Sequence, residues 1–572
     1  MNLRSFAQYW CAGALITLLQ GAIPPLAFAQ RTNDLPTTYL LNDPKFSSII
    51  LAAVGPWNVT AQEFLLSYEY GPAFPKRERD SKKRYLTYMI YEKLLALDGY
   101  EHGLQSSPMV QEVLTEVEAD LATEELYKDD VLSTVHVSDK EIELGVSKEN
   151  VHLGLKWIYS PTEESILHQT KLLREGASFD SLFALQLSDS LSMDDRSMQT
   201  TRFKLELKNS ALATAIDSLT TGMVSRPIHA PDGWYLVKIV EGWTSPILKE
   251  TENNKLHEDV RRALVQHKSD SLSDQYVHHM LLEQNPVIIR ESFDLLQAHL
   301  GKKFLSAEKH AAWALEKKLT LQGLNLKPDS VELYRGRVLV MMKDGKFLLG
   351  DFLNWYTTRD LYIRLNTKSP RAFFASVEQL VWRMVRDRML MQRAYQRGLQ
   401  NRESVVKQTK WWEEKLVYRA AKLEIENSIK QDGVTLHKYY AEHQRDYRND
   451  KGKIRSFEEV KDDVSRGAFA YEVTEEVKDD VSRDAFAYEV TEEVKDDVSR
   501  DAFAYEVTKR LLHQIVQLKR KYKVEINDET LKNLYVDIEN RPKAVDIYTV
   551  KKGGVFPHTA FPSIDYEWQT WD

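Results

Sequence analysis

The chain has 572 residues and a mass of 66.3 kDa, enough for several domains with substantial cores. Its 77 Lys and Arg against 85 Asp and Glu leave a formal net charge of -8. That balance argues against non-specific nucleic-acid binding, which needs a basic face to neutralise phosphates. No Gly-rich phosphate loop occurs, so no nucleotide is expected, and nothing else in the sequence calls for a cofactor.

Residues 1–29 read as a cleavable signal peptide. Arg4 is the only charge in the leader, an apolar run follows from Tyr9 to Phe28, and Ala27-Phe28-Ala29 forms a small-x-small cleavage signature before Gln30. Pro24 and Pro25 break the run and disfavour a membrane anchor. The single cysteine, Cys11, lies in the leader, so the mature chain is expected to carry no disulfide, no thiolate and no cysteine-ligated metal. His278 and His279 are adjacent and lack further ligands at zinc spacing, so no metal is expected. No later run is apolar enough to span a bilayer. These features predict an exported, periplasmic protein.

Residues 30–148 read as the N-terminal arm of a helical module. Thr60 and Glu63 make a capping-box pattern. Leu86, Met89, Ile90, Leu94 and Leu97 recur at helical spacing, and Gly103 and Pro108 interrupt the helical region from Ser81 to Val135. Ser138 opens another helix. The pattern recurs later. Gly350-Asp351-Phe352-Leu353 echoes Gln62-Glu63-Phe64-Leu65, and the stripe Val377, Leu380, Val381, Met384, Val385 ends at Gly398-Leu399 as the earlier one ends at Gly103-Leu104. The expected organisation is residues 244–300 as the C-terminal arm of the first module, 301–334 as a linker, 335–457 as a second helical module and 509–550 as that module's C-terminal arm.

Residues 458–508 are three copies of a seventeen-residue unit, EEVKDDVSR-x-AFAYEVT, differing only at Gly467, Asp484 and Asp501. Val460, Val464, Ala468 and Tyr471 fall on one helical stripe. The unit has too little apolar surface to stack as a solenoid. The tail, 551–572, is rich in aromatics and proline. Docking into the protein's own groove as a client mimic and packing on the last module both fit it.

Residues 149–243 carry the most specific signal. A strand-like run, Leu155-Lys156-Trp157-Ile158-Tyr159, leads into a helix. Gly176-Ala177-Ser178-Phe179, Ser188-Asp189, Leu219-Thr220-Thr221-Gly222-Met223-Val224-Ser225-Arg226-Pro227-Ile228 and Gly233-Trp234-Tyr235-Leu236-Val237-Lys238 follow in order. This segment resembles a parvulin-type peptidyl-prolyl isomerase domain. The flanking arms resemble the chaperone module of SurA-like and PrsA-like folding factors. The resemblance implies an α+β, mainly helical protein: helical chaperone modules with one inserted parvulin-like domain, a small antiparallel sheet with surrounding helices.

The resemblance also aligns the family's site. Its two histidines fall on Trp157 and Tyr235, its cysteine or aspartate position on Ser190, and an aromatic of its proline pocket near Leu212. His152 is no substitute, because residues five apart in a strand face opposite ways. Isomerisation needs a site that binds the twisted amide better than either planar isomer. The replacements therefore imply weak or lost activity.

The expected function is an ATP-independent folding factor that binds unfolded or nascent exported polypeptides, outer-membrane proteins among them. Trp355, Tyr356, Trp411 and Trp412 are candidate client-binding residues. An active isomerase and a non-catalytic assembly scaffold with one dedicated partner are the alternatives.

Overall fold

The computed structural model describes residues 44–72, 80–187, 192–230, 233–245, 250–321, 327–359, 363–428 and 497–536, with shorter stretches at 440–441, 444, 447, 454–457, 556–557, 559, 561–565 and 568. The leader, Ser190 and repeat residues 458–496 lie outside them. The fold is α+β and mainly helical, with small antiparallel sheets. No helix among the described residues is long and apolar enough to cross a membrane. The chain divides into two compact units. Among the described residues, the smaller spans Lys128–Ile289 and Val340–Lys346, and the larger takes the rest, up to Tyr127, across Arg290–Leu339 and from Phe347 onward.

In the larger unit, strands Ile50–Val54 and Trp57–Thr60 form a hairpin that feeds helix Ala61–Tyr70. Thr60 caps that helix, its hydroxyl accepting from the Glu63 amide at 3.2 Å. The Glu63 carboxylate also pairs with buried Lys93 at 2.9 Å. Helix Ser81–Glu101 buries all five residues of the expected stripe, Leu86 through Leu97. Gly103, at φ +76°, turns the chain through a short 3-10 segment into helix Pro108–Asp130. Glycine suits this position because a Cβ is disfavoured in left-handed backbone.

The same run of elements stands later in the chain. Strands Val338–Met342 and Gly345–Leu348 precede helix Leu349–Thr357. Helix Pro370–Gln396 then ends at Gly398, φ +70°, before a 3-10 turn and helix Glu403–Asn427. The rings echo one another: Phe64 stacks on Tyr68 at 5.3 Å and Phe352 on Tyr356 at 5.9 Å. The long helices interlock across the two runs. Helix Glu403–Asn427 packs on Ser81–Glu101, and Arg388 reaches Glu116 on Pro108–Asp130 at 2.6 Å.

Two parts of the expected organisation are corrected. The final arm closes on the first hairpin: Val524, Glu525 and Ile526 pair with Val54, Ala53 and Ala52. Helix Asp497–Lys521 buries Val507, Leu511, Ile515 and Leu518 in the core built around Ser81–Glu101. The earlier arm, meanwhile, pairs Val287 and Ile288 with Met341 and Val340, next to the second hairpin. The arms thus exchange partners relative to their order in sequence. Residues 301–334 are also no linker. They hold helices Ala307–Trp313 and Leu315–Leu321 and the 3-10 segment Pro328–Tyr334, with Leu315 and Leu319 buried. Their apolar residues return every three or four positions, which buries one face of a helix.

The tail enters the core of the larger unit. Phe556, Phe561, Ile564 and Trp568 are all buried, and Trp568 stacks on Tyr88 at 5.5 Å.

Candidate functional site

The smaller unit holds a four-stranded antiparallel sheet, ordered Ser197–Thr201, Val151–Ser160, Gly233–Thr244, Ile228–Ala230. Helix Asp139–Glu149 precedes it, started by a full capping box between Ser138 and Glu141. Helix Glu250–Gln284 follows it, and Val260 packs with Ile142, Val146 and Phe203.

Strand register decides which side chains meet. Trp157 lies opposite Val237, and Tyr159 opposite Tyr235. Directly paired residues share a face, as do residues two apart. Trp157, Tyr159 and Tyr235 therefore share one face of the sheet. They pack in one cluster with Leu205, Ala213 and Ile216, walled by half-buried Met198, Leu212, Leu219 and Ile228. Three expected site positions, Trp157, Tyr235 and Leu212, are thus brought together; Ser190 is not described.

The other face is wholly different. Ile158 and Leu236 pack under Ile166, Phe179 and Phe183. Lys238 pairs there with Asp180 at 2.7 Å and holds that carboxyl below its ordinary range by hydrogen bonding.

Trp157 is 7% exposed, and its indole N–H has no hydrogen-bond partner among the described residues. A buried donor left unpaired costs about 1–3 kcal/mol. Tyr235 is 6% exposed, its ring 5.2 Å from that of Tyr159. Arg196 lies over the Tyr159 ring at 5.0 Å. Gln186 holds the Tyr159 backbone from both sides, accepting from its N–H at 3.0 Å and donating to its carbonyl at 2.7 Å. Tyr159 and Arg196 were not singled out from sequence. The alternation from Trp157 to Tyr159 was a usable signal for the first. No local pattern marks Arg196.

The register shifts at Gly154 and Leu155, but the strand Val151–Ser160 keeps its own alternation. His152 consequently faces away from Trp157. Its Nε2 meets Ser245 Oγ at 2.7 Å, and its ring stacks on Trp243 at 4.9 Å.

The candidate client-binding residues lie in the larger unit. Trp355, Tyr356 and Trp412 are 2%, 6% and 4% exposed, so they are packing residues and offer no surface. Trp355 donates its indole N–H to Asp387 at 2.8 Å. Aromatics at helical spacing on an amphipathic helix turn toward the core, which accounts for all three. Trp411 alone is half-buried. It packs near Leu65, Leu66 and Phe561, with Lys407 over its ring at 5.4 Å.

No family model matches the chain, and no curated protein matches it. Among solved structures it is similar to peptidylprolyl isomerase PrsA from Bacillus cereus, at 16% identity and TM-score 0.20 over 26% of this chain and 57% of that one. It is similar to PrsA from Bacillus anthracis at 13% identity and TM-score 0.19, over 33% of this chain and 96% of that one. Foldase protein PrsA from Streptococcus pneumoniae aligns at 14% identity and TM-score 0.19, over 35% and 85%. The chain spans little more than half the length of the first of these.

Proposed function

We propose that this chain is an exported, ATP-independent folding factor that binds unfolded polypeptides, with peptidyl-prolyl isomerisation weak or lost. The observation that carries the reading is the filled face of the parvulin-like sheet. An indole and a phenol stand at the two positions the family resemblance assigns to histidine, and both are buried in an apolar cluster. Stabilising a twisted amide requires room for the proline ring beside the donors. Trp157 takes that room.

An unfolded model substrate, diluted from denaturant with stoichiometric protein and no nucleotide, tests the binding half. Suppressed light scattering is the expected result; unchanged scattering at molar excess contradicts it. A proline tetrapeptide assay tests the other half, with little or no acceleration expected. A second reading, an active isomerase, draws on the unpaired Trp157 N–H, a donor on the same face as Tyr235. Acceleration that falls on Tyr235→Phe or Trp157→Phe substitution supports that second reading instead.

A further inference from the structure

The two matching runs of helices differ where helix Ala61–Tyr70 and helix Leu349–Thr357 end. Helix Leu349–Thr357 carries Trp355, and Arg359 follows it. At the corresponding positions the first run has Ser67 and Gly71. In the second run the chain completes its own core: Trp355 Nε1 donates to Asp387 at 2.8 Å, and Arg359 binds both oxygens of Asp120 at 2.7 and 2.8 Å. Glu92 stands at the same distance before Gly103 as Asp387 before Gly398. Lys415 stands at the same distance after Gly398 as Asp120 after Gly103. With serine and glycine in place of indole and guanidinium, the first run has a notch over Glu92 and Lys415.

The C-terminal tail fills that notch. Trp568 donates its indole N–H to Glu92 at 2.8 Å, as Trp355 does to Asp387. The Asp565 amide donates to the same Glu92 oxygen at 2.8 Å. The Asp565 carboxylate meets Arg419 at 2.8 Å and Lys415 at 3.0 Å. Burial alone would raise the Asp565 carboxyl, but Arg419 and Lys415 outweigh it and hold it well below the usual carboxylate range. Ser563 lies against Gly71, where an added Cβ would come within 2.9 Å of it. A cavity of about 50 Å³ persists beside the tail, bounded by Ser67, Trp411 and Phe561 among others.

We propose that this notch is a binding groove for extended polypeptide, and that the tail is its tethered occupant. The groove takes a segment with an apolar residue, then a carboxylate, then a tryptophan three residues on, as in Ile564, Asp565 and Trp568. The chemistry of the walls selects it. Two cations on one helix take the carboxylate. A buried carboxylate opposite takes a backbone amide and an indole N–H. Such buried charges repay their desolvation only when paired, here as in the self-closed second run. A groove that exchanges occupants tolerates them, because water replaces the peptide when it leaves. The proposal rests on the client-binding reading above and names the segment chemistry for it.

The test uses a fluorescein-labelled synthetic peptide of residues 556–568 and the full chain. A tethered ligand competes at an effective concentration on the order of millimolar. The chain carrying Asp565→Lys and Trp568→Ala should therefore bind the free peptide at least about tenfold more tightly than the unaltered chain. A peptide with the same two changes should not bind. Equal binding to both chains, or none to either, overturns the proposal. Should the double variant fail to fold, hydrogen exchange on the unaltered chain decides. Excess unlabelled peptide should speed exchange of the amides of Phe561, Ser563, Ile564 and Asp565 and leave the Glu403–Asn427 helix unchanged; no change overturns the groove. Aggregation suppression by the unaltered chain without peptide binding sinks this proposal alone. Peptide binding with no suppression by either chain sinks the client-binding reading alone.

Discussion

Arg359→Met strands one carboxylate and spares two. The Arg359 side chain is 6% exposed; its Nη2 reaches both oxygens of Asp120, its Nη1 reaches Glu116 at 3.1 Å, and its Nε lies 4.0 Å from Asp387. Glu116 keeps Arg388 at 2.6 Å, and Asp387 keeps Arg386 at 2.7 Å and the Trp355 indole. Asp120 loses the guanidinium that both its oxygens bind. Breaking a buried pair in this way costs about 3–5 kcal/mol when the survivor is charged. Methionine retains much of the apolar stem, so packing loss is secondary. Burial, against the pull of Arg359, already raises the Asp120 carboxyl from 3.8 to about 7. A raised acid contributes stability that is fully present below its unfolded value near 3.8 and lost as pH rises through about 7. Without Arg359 the folded value rises further, so the loss extends to higher pH. The variant should therefore be close to the parent at pH 5, within about 1–2 kcal/mol for lost hydrogen bonds. At pH 8, one unit above the parent's value, linkage adds about 1.4 kcal/mol, for a total cost of about 2–3.5 kcal/mol. Hydrogen exchange of the Pro108–Asp130 and Pro370–Gln396 helices reads this locally, since a chain of two units need not unfold in one step. A cost equal at both pH values would refute the argument, as would no cost at pH 8.

Three further outcomes are expected. Trp157→Ala should destabilise the smaller unit by about 3–5 kcal/mol, whereas Trp157→Phe should stay within about 1 kcal/mol because it removes the buried unpaired N–H; equal costs in thermal unfolding contradict the orphaned donor. Gly103→Ala and Gly398→Ala should each cost about 1–2 kcal/mol from left-handed backbone alone, since an added Cβ meets nothing within 4 Å at Gly103 and only Asn401 at 3.8 Å at Gly398; Gly336→Ala, open and without positive φ, should be neutral in the same denaturation assay. Deleting residues 458–491, two of the three repeat copies, should leave a soluble folded chain by circular dichroism, because the retained copy carries Val507 and leads into Leu511, Ile515 and Leu518; loss of soluble expression would show that the deleted copies support the core.

Local signals carried the elements well. Leu86 to Leu97 and Val377 to Val385 lie buried as their spacing implies, and Thr60 and Ser138 cap the helices they precede. Strand alternation placed Trp157 opposite in sense to His152, and register placed it beside Tyr235. Each of these depends on residues a few positions apart. Ownership of the arms does not. Val524 to Ile526 and Val287 to Ile288 are both short extended pieces after a helix, and nothing within either says which hairpin it joins. The choice is made by sheet edges far off in the sequence, Ala52 to Val54 for the one and Val340 to Met341 for the other.

The same limit explains why the tail's contacts were invisible and the tryptophans misleading. Trp355 and Trp568 are chemically alike, each an indole donating to a buried carboxylate at 2.8 Å. Trp355 sits in a helix whose period shows it faces inward. Trp568 sits in a tail with no period at all, and only the carboxylate it finds reveals its place. What distinguishes the two halves is a pair of small residues, Ser67 and Gly71. Serine and glycine at a helix end are ordinary, so they drew no notice. Aligned against Trp355 and Arg359 they become a missing side chain and a missing charge, which a segment from elsewhere in the chain must supply. Two like runs of elements thus carry their own control, because the run that closes itself shows what the other lacks.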